Sequence, residues 1–171
     1  MGIYQISKYN PKNRDKTGKY CIEEWTSISD IGKVYNAKVF DINTYIATEN
    51  AYIGAVTKLM EQYSIESLYV KGLEKYLDIT DIDMIMQKYP EYYTDGILEV
   101  FKSVVEGIKL NINDTQAMCR LILREHLWSE LCSKEKDFIV KFGYDYYMTI
   151  ECPEIQKEIV KVLNENGLFV L

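Results

Sequence analysis

The stretch from Asp41 to Tyr63 constrains the fold of this chain more than any other part of the sequence. Its apolar residues recur with the helical period of about 3.6 residues, and no proline interrupts the run. Asp41 stands just ahead of the first periodic residue, where its carboxylate can accept hydrogen bonds from the first-turn amides as an N-cap. A helix of this length must bury its wide apolar face, and we expect a sheet to cover it.

Glu49 is the exception on that face, because it lies in line with Ile53 and Val56. A buried carboxylate without a partner would cost several kcal/mol of stability. Either the apolar stripe reaches the surface at Glu49, or an internal salt bridge neutralises the charge. Arg120 and Arg124 are the candidate cations, since they share one face of a later helix.

The remaining patterns predict a single α+β domain over residues 1–171, with a mainly antiparallel sheet and about five helices packed on it. Strands are predicted over 3–8, 20–25 (the return strand of a hairpin), 38–40, 67–73, 138–142, 146–152 and 168–171. Further helices are predicted from Thr80 or Asp81 to Met86, over 94–107, from Asn113-Asp114 onward, and from Pro153 to Asn166-Gly167. Gly143-Tyr144-Asp145 is predicted to be a hairpin loop in which Gly143 supplies a positive φ.

Composition and charge limit the partners. The chain has 171 residues, 47% of them hydrophobic, and a net charge of −6 with a pI near 4.9. Nucleic acid is disfavoured as a partner because phosphate binding needs a positive surface, whereas an acidic surface suits a basic partner or serves only solubility. No apolar run approaches the roughly 20 residues of a membrane span, so no membrane partner is expected.

The cysteines and the N-terminus indicate a cytoplasmic protein. The four cysteines are scattered without a C-x-x-C pair, which is typical of reduced thiols in a cytosolic chain. The first residues contain no basic segment followed by an apolar one, so we expect no signal peptide.

The single histidine, His126, leaves little room for catalytic or metal chemistry. A structural role, such as capping a helix or pairing with Glu125, is favoured over a catalytic one. Cys119, His126 and Cys132 could be imagined as zinc ligands, but their spacing matches no closed zinc site. We therefore expect no metal and no cofactor.

No nucleophile motif or glycine-rich phosphate loop is present, so an enzyme is the weaker class. Glu23 and Glu24 are adjacent on a predicted strand and would point to opposite faces, which disfavours an acid/base pair. Asp78, Asp81 and Asp83 fit charges at a helix start better than a cation loop.

Fifteen tyrosines are the most unusual feature of the composition. Two clusters stand beside acidic residues, namely Tyr89, Tyr92 and Tyr93 beside Glu91 and Asp95, and Tyr144, Tyr146 and Tyr147 around Asp145. Each tyrosine taken alone is more often a core residue, but rings set among carboxylates suit a surface that binds a basic protein. A protein-binding module is therefore favoured over a catalyst.

Several short blocks carry a resemblance to a known family. These blocks are Tyr4-Gln5-Ile6-Ser7-Lys8-Tyr9-Asn10-Pro11 with Arg14, Gly18 and Tyr20, then Glu24-Trp25-Thr26-Ser27-Ile28-Ser29-Asp30-Ile31-Gly32, Glu49-Asn50-Ala51-Tyr52-Ile53, Leu121-Ile122-Leu123-Arg124-Glu125 and Phe142-Gly143-Tyr144-Asp145-Tyr146-Tyr147-Met148. Together they resemble small bacterial immunity proteins encoded beside polymorphic toxins and contact-dependent growth inhibition systems. Part of the resemblance points to inhibitors of EndoU-type ribonuclease toxins.

The resemblance implies inhibition by stoichiometric occlusion, in which an acidic surface docks on a basic nuclease toxin and covers its RNA-binding cleft. The candidate toxin-binding residues are Glu23, Glu24, Trp25 and Asp30 near the N-terminus, Asp78, Asp81, Asp83, Glu91, Tyr92 and Tyr93 in the middle, and Tyr144, Asp145 and Tyr147 in the hairpin. The N-terminal block also has a structural interpretation, in which Asp30 satisfies loop amides and Trp25 fills the core.

Two other classes of function stay open at this point. One is a small hydrolase or nucleotide-modifying enzyme that uses Glu49, His126 and Arg124, which would have to converge in a cleft with a perturbed pKa. The other is a structural subunit of a homo-oligomer.

Overall fold

A seven-stranded sheet with helices against it forms the body of the protein in the computed structural model. The structure describes the backbone of residues 1–171 and every side chain except that of Asp95. The described residues form nine strands and five α-helices, and the predicted α+β class is confirmed.

The strands are β1 (Gly2–Ser7), β2 (Val34–Tyr35), β3 (Lys38–Val39), β4 (Ser67–Lys75), β5 (Lys109–Asn111), β6 (Leu127–Cys132), β7 (Ile139–Phe142), β8 (Tyr147–Cys152) and β9 (Phe169–Val170). The large sheet has the order β5-β4-β6-β7-β8-β1-β9, and each neighbouring pair is antiparallel. β2 and β3 form a separate hairpin.

The helices are α1 (Ile42–Gln62), α2 (Ile79–Lys88), α3 (Asp95–Ser103), α4 (Ile112–Leu123) and α5 (Lys157–Glu165). Among the helices that the structure describes, none combines the length and the apolarity needed to cross a lipid bilayer.

Helix α1 confirms the strongest expectation from the sequence. The Asp41 carboxylate accepts a hydrogen bond from the Thr44 amide at 2.8 Å and caps the helix. The face that carries Tyr45, Tyr52 and Leu59 is fully buried in one core shared with the sheet and with α4. The sequence therefore places its longest helix where burial of an apolar stripe stabilises it most.

The two faces of the sheet differ in chemistry. Strand β6 alternates, with Leu127, Ser129 and Leu131 buried in the core. The opposite face carries charges that pair across strands: the Lys141 ammonium lies 2.7 Å from Glu151 and 3.5 Å from Glu130. This alternation is typical of an antiparallel sheet that is covered on one face only.

The Glu49 carboxylate is fully buried, and an internal salt bridge neutralises it. Arg124 binds it with two groups, Nε at 2.7 Å from Oε1 and Nη2 at 2.8 Å from Oε2, and Arg120 binds Oε2 from the same helix. Tyr45 donates a further hydrogen bond. Arg124 also donates to the Tyr92 carbonyl at 2.6 Å, so α1, α4 and the segment after α2 meet at one charged centre.

One prediction about the sheet is wrong, and strands β2, β5 and β6 were not predicted. Residues 20–25 are not the return strand of a hairpin, because β1 pairs instead with β8 and β9 and only an isolated Arg14–Tyr20 bridge remains. Central strand β6 was not predicted at all, since its six residues follow α4 after a connection of only three. The correct partners of both segments are distant in sequence, and local periodicity does not reveal them.

The hairpin between β7 and β8 also differs from the prediction. Gly143 has a φ of −97°, and the left-handed residues are Asp145 at 54° and Tyr146 at 61°. The strand pair itself is confirmed, with Val140 opposite Ile150 in the buried face. The turn therefore does not depend on a glycine with positive φ. Contacts of Tyr146 with other elements stabilise its conformation.

Several helix ends are also shifted from their predicted positions. Asp78 caps α2 in place of Thr80 or Asp81, and Asn111 caps α4 ahead of Asn113-Asp114, because each of these side chains accepts the amide three residues later. The last helix begins at Lys157 and not at Pro153, since Tyr63 and Gln62 of α1 bind the backbone of residues 154 and 156 in extended form. Helix α3 ends at Ser103, four residues before the predicted end at 107, because the backbone of Val104 is extended.

Candidate functional site

A cleft of about 890 Å³ opens at the end of the sheet where β4 and β7 finish and β6 and β8 begin. Its lining includes three carboxylates and five aromatic rings: Glu74, Glu125, Asp145, Tyr76, Trp128, Phe142, Tyr144 and Tyr146. Among the described residues that line the cleft, none is a lysine or an arginine. The cleft is therefore an acidic, aromatic cavity, and we refer to it below as the acidic cleft.

A bulge in β4 sets the position of Glu74. The pairing of β4 with β6 shifts register just before this residue, so that Glu74 stands opposite Trp128. Gly72 takes a φ of 68° in the bulge, and the Glu106 carboxylate accepts the amides of Gly72 at 3.0 Å and Leu73 at 2.9 Å. Bulges commonly redirect side chains at functional sites, and Glu106 fixes this one.

The Trp128 ring is fixed by a hydrogen bond, and the cleft carboxylates form no ion pair within the described structure. The indole N–H of Trp128 donates to the Phe142 carbonyl at 2.8 Å, which fixes the orientation of the ring. Lys75, next to Glu74 in the chain, turns to the Phe101 carbonyl at 2.7 Å. No ion pair within 4.0 Å in the described structure involves any of the three cleft carboxylates.

The C-terminal end of α4 forms another wall of the acidic cleft. The amide of Glu125 bonds to the Ile122 carbonyl and that of His126 to the Leu121 carbonyl, both at 3.0 Å, in a Schellman motif. Glu125 occupies the left-handed position of this motif with a φ of 62°, and Ser27 donates to its carboxylate at 3.1 Å. The negative end of the α4 dipole adds to the negative potential of the carboxylates.

The tip of the β7–β8 hairpin completes the rim. Asp145 and Tyr146 are consecutive left-handed residues, a costly backbone for side chains other than glycine. Tyr146 is held from two sides, because its hydroxyl donates to the Leu123 carbonyl at 2.9 Å and its own carbonyl accepts the Tyr52 hydroxyl. Tyr144 is 94% exposed beside them. Of the six described non-glycine residues with positive φ, three line this cleft, which indicates a rigid, pre-formed rim.

The N-terminal candidates mostly serve the loop that carries them. Trp25 is buried and stacks on Phe40 at 4.3 Å between ring centres, and Asp30 accepts the amides of Thr26 and Ser27. The hydrogen bond from Lys33 and these amides lower the pKa of Asp30 to about 2. The structural interpretation of this block is therefore confirmed for these two side chains.

Glu23 and Glu24 differ in their environment. Glu24 accepts the Lys8 ammonium at 3.0 Å and the Tyr20 hydroxyl at 2.7 Å, so its charge is neutralised within the loop. Glu23 is exposed. The predicted strand that would separate their side chains is absent from the described backbone of residues 20–25.

The middle candidates divide into structural and exposed residues. Asp78 and Asp81 form the capping box of α2, as expected for charges at a helix start. Tyr93 is buried under the Arg124 guanidinium, and Tyr92, whose carbonyl Arg124 binds, is partly buried. Asp83 is partly buried and Glu91 is exposed, so these two remain accessible to a partner.

Two of the three hairpin candidates lie in the acidic cleft. Tyr144 and Asp145 are exposed on its rim, whereas the Tyr147 hydroxyl accepts the Arg14 guanidinium at 2.7 Å outside it. Sequence reasoning missed Glu74, Tyr76, Glu125 and Trp128 as members of a site.

A charge count contained a signal for the missed residues. The segment Glu74–Glu99 carries seven carboxylates and two lysines, which is five of the six net negative charges of the whole chain. The first residues of this segment, Glu74 and Tyr76, line the acidic cleft.

The residues of the enzyme alternative do converge, but inside the protein. The Nε2 atom of His126 lies 2.6 Å from the Tyr93 hydroxyl, so its partner is Tyr93 and not Glu125 as predicted. Burial, and then the Arg124 charge, lower the pKa of His126 to about 4. Glu49, Arg124 and His126 are all buried and none of them lines the acidic cleft. Their hydrogen bonds join structural elements.

The imagined zinc ligands do not form a group. The described side chains contain no set of three His, Cys, Asp or Glu residues arranged to hold a metal ion. Cys119 is fully buried, and burial raises the pKa of its thiol to about 12, which leaves it unreactive at neutral pH.

Comparison of the chain with protein-family models, with curated proteins and with solved structures finds no match. Any statement about function therefore depends on the chemistry of the acidic cleft and on the sequence blocks described above.

Replacement of Glu125 by glycine is expected to raise the free energy of unfolding by roughly 0.5–1 kcal/mol, because glycine adopts the left-handed conformation without strain. Ser64→Gly is the matched control. Ser64 has a φ of 53° in the same motif at the end of α1, far from the cleft, and should gain a similar amount. Urea unfolding at neutral pH measures both. A large loss of stability in Glu125→Gly alone would show that the carboxylate supports the fold.

The stability of the protein should fall as the pH drops from about 6.5 towards 4. His126 has a lowered pKa in the folded state, so the unfolded chain binds its proton first, and the stabilisation is complete only above the ordinary value of 6.5. The loss attributable to His126 is about 3 kcal/mol. Urea unfolding between pH 7.5 and 4 should show a shallower slope for His126→Gln, which cannot titrate. Equal slopes for both proteins would contradict a neutral, buried His126.

Proposed function

We propose that this protein is a bacterial immunity protein that binds a cognate toxin in the cytoplasm and neutralises it by covering its active site in a one-to-one complex. The proposed toxin is a basic nuclease, with an EndoU-type ribonuclease as the first candidate. The observation that carries the proposal is the acidic cleft, whose carboxylates form no ion pair within 4.0 Å in the described structure and whose rim presents exposed tyrosines.

The distribution of charge favours this surface over the others. On the open face of the sheet, Lys71, Glu130, Lys141 and Glu151 form a chain of ion pairs 2.7–3.6 Å long. Those charges neutralise one another. The acidic cleft and the segment Glu74–Glu99 behind it carry an excess of carboxylates, so they produce the negative field that attracts a basic protein.

Exposed rings supply the contact area that charges lack. Tyr144 and Tyr76, which line the acidic cleft, are 94% and 57% exposed, and Tyr89 in the segment Glu74–Glu99 is 43% exposed. Tyrosine is enriched at the centres of protein interfaces because it buries a large rigid surface and keeps a hydroxyl for hydrogen bonding. Carboxylates around such rings steer the encounter, and the rings then contribute affinity.

A basic nuclease is a chemically consistent partner. A nuclease must present a positive surface to the phosphates of its substrate. An acidic surface that docks there competes for the same positive groups and excludes the nucleic acid without any catalytic step.

The alternatives make different predictions. An enzyme that uses Glu49, Arg124 and His126 would require substrate to reach three buried groups, and it would lose activity in His126→Gln. Toxin neutralisation should survive that substitution. A structural homo-oligomer would be revealed by a measurement of size in solution.

The test of the proposal is co-expression with the product of the neighbouring upstream gene, which the proposal expects to be a nuclease. We expect a one-to-one complex that lacks nuclease activity and binds roughly tenfold more weakly at high salt, because charge attraction is screened. Failure to form a complex would contradict the immunity function.

Charge reversal shows which surface binds. Asp83→Lys with Glu91→Lys reverses accessible charges in the acidic segment and should weaken binding by roughly a hundredfold and flatten its salt dependence. Glu61→Lys with Glu66→Lys is the matched control, since both residues are exposed at the opposite end of the sheet and the change in net charge is the same. Equal effects of the two pairs would contradict docking at the acidic surface.

A further inference from the structure

The acidic cleft has the composition of a receptor for a cationic side chain. Three carboxylates and five aromatic rings line it, together with the C-terminal end of α4. Its volume of about 890 Å³ lies within the range of clefts that enclose a whole ligand group. A single side chain can therefore enter with its neighbouring residues.

The protein already uses this combination for its own cations. The Lys8 ammonium lies 4.1 Å from the ring centre of Tyr9 and 4.3 Å from that of Trp25, and Glu24 neutralises it. In this arrangement two rings cover the cation and a carboxylate binds its hydrogens.

Arg124 has the same surroundings. Its guanidinium lies 4.6 Å from the ring centre of Tyr93 and forms a two-point contact with Glu49. The acidic cleft is lined by groups of the same kinds, the rings of Trp128 and Tyr144 and the carboxylates of Glu74 and Asp145, and no described lysine or arginine lines it.

The cations near the cleft are bound elsewhere. Lys75 donates to the Phe101 carbonyl. Lys8 is paired with Glu24 at 3.0 Å and nearly buried, and burial lowers the pKa of its ammonium. The cleft carboxylates are exposed and form no ion pair within 4.0 Å in the described structure, so they are free to attract a cation from outside.

We propose that the acidic cleft receives one arginine side chain of the basic partner, an inference that rests on the proposed function. A planar guanidinium stacks on an aromatic face and binds carboxylates through two parallel hydrogen bonds, which a lysine ammonium cannot do. The rim that holds Asp145 and Glu125 in left-handed conformations is already in place before binding, so little ordering is needed when the arginine enters.

N-acetyl-L-arginine amide is the probe for the cleft, and NMR titration of the free protein is the measurement. We expect saturable shifts of the backbone amides of residues 74–76, 125–128 and 143–146. The citrulline analogue has the same shape without the charge and should produce none, and the lysine analogue should bind at least roughly fivefold more weakly. Equal binding of citrulline or lysine, or shifts confined to other residues, would overturn the proposal.

Glu74→Gln with Asp145→Asn removes two cleft charges with little change of shape, and asparagine tolerates the left-handed backbone at position 145. This pair should weaken arginine binding at least roughly tenfold. Glu61→Gln with Glu66→Gln is the control and should leave binding unchanged. A loss of the same size in the control would overturn the assignment to the cleft.

The complex with the toxin separates the two proposals. An arginine of the toxin should exist whose replacement by lysine weakens binding to the native protein but not to the Glu74→Gln, Asp145→Asn variant. If the toxin binds this variant with unchanged affinity, the arginine receptor is wrong while the proposed function stands. If arginine binds the cleft but the neighbouring gene product forms no complex, the proposed function is wrong and the cleft remains a guanidinium site.

Discussion

The rest of the structure depends on the buried salt bridge between the Glu49 carboxylate and the guanidinium groups of Arg120 and Arg124. The Glu49 charge lies in the apolar interface between α1 and α4, and Arg120, Arg124 and Tyr45 neutralise it. Removal of one partner from such a centre typically costs about 3–5 kcal/mol, because the remaining charge is left buried. The packing of the two helices is therefore fixed in register as well as in orientation.

This centre also sets the position of the acidic cleft. Arg124 is the residue that ends α4, and Glu125 in the cleft wall follows it directly. The same guanidinium binds the Tyr92 carbonyl, which anchors the segment after α2. A structural ion pair in the core thus holds two parts of the surface that we assign to partner binding. Tyr146 adds a second connection, since its hydroxyl binds the Leu123 carbonyl at the end of α4.

Three helices of the chain end in the same Schellman motif, and they differ in the residue at its left-handed position. Helix α5 has Gly167 there, α1 has Ser64, and α4 has Glu125. Glycine costs least in this conformation, so the side chain at the end of α4 is retained at some cost in stability. That cost occurs where the carboxylate faces the acidic cleft, which is the pattern expected when a binding site opposes the most stable local choice.

The sequence predicted the parts of the fold that local patterns determine. The capped α1 helix, helix α3 and the β7–β8 pair all follow from periodicity and capping within short segments. Strand β6 and the true partners of β1 depend on pairing between distant residues, which periodicity does not encode. The sequence left two alternatives for Glu49, an internal salt bridge or an apolar stripe that reaches the surface there. The pattern of residues does not show whether the carboxylate is buried, so it could not decide between them.

The acidic cleft could not be predicted from local sequence patterns either, because its residues are distant from one another in the chain. Glu74, Glu125 and Asp145 come from a bulged strand, a helix end and a hairpin tip, and only the assembled sheet brings them together. Tyr144, Asp145 and Trp25 were predicted as contacts from the resemblance, but Trp25 is buried. Tyr93 was predicted from a cluster of tyrosines beside carboxylates and is buried as well. An aromatic residue beside a carboxylate indicates an interface only when both are exposed.

The most direct measurement uses the two tryptophans of the chain, since Trp128 lines the acidic cleft and Trp25 is in the core. Their indole N–H resonances can be followed by NMR while a catalytically inactive form of the toxin is added. Occupation of the cleft predicts that the Trp128 resonance shifts as the one-to-one complex forms and that the Trp25 resonance moves far less. A complex that leaves the Trp128 resonance unchanged would contradict the assignment of the acidic cleft to partner binding.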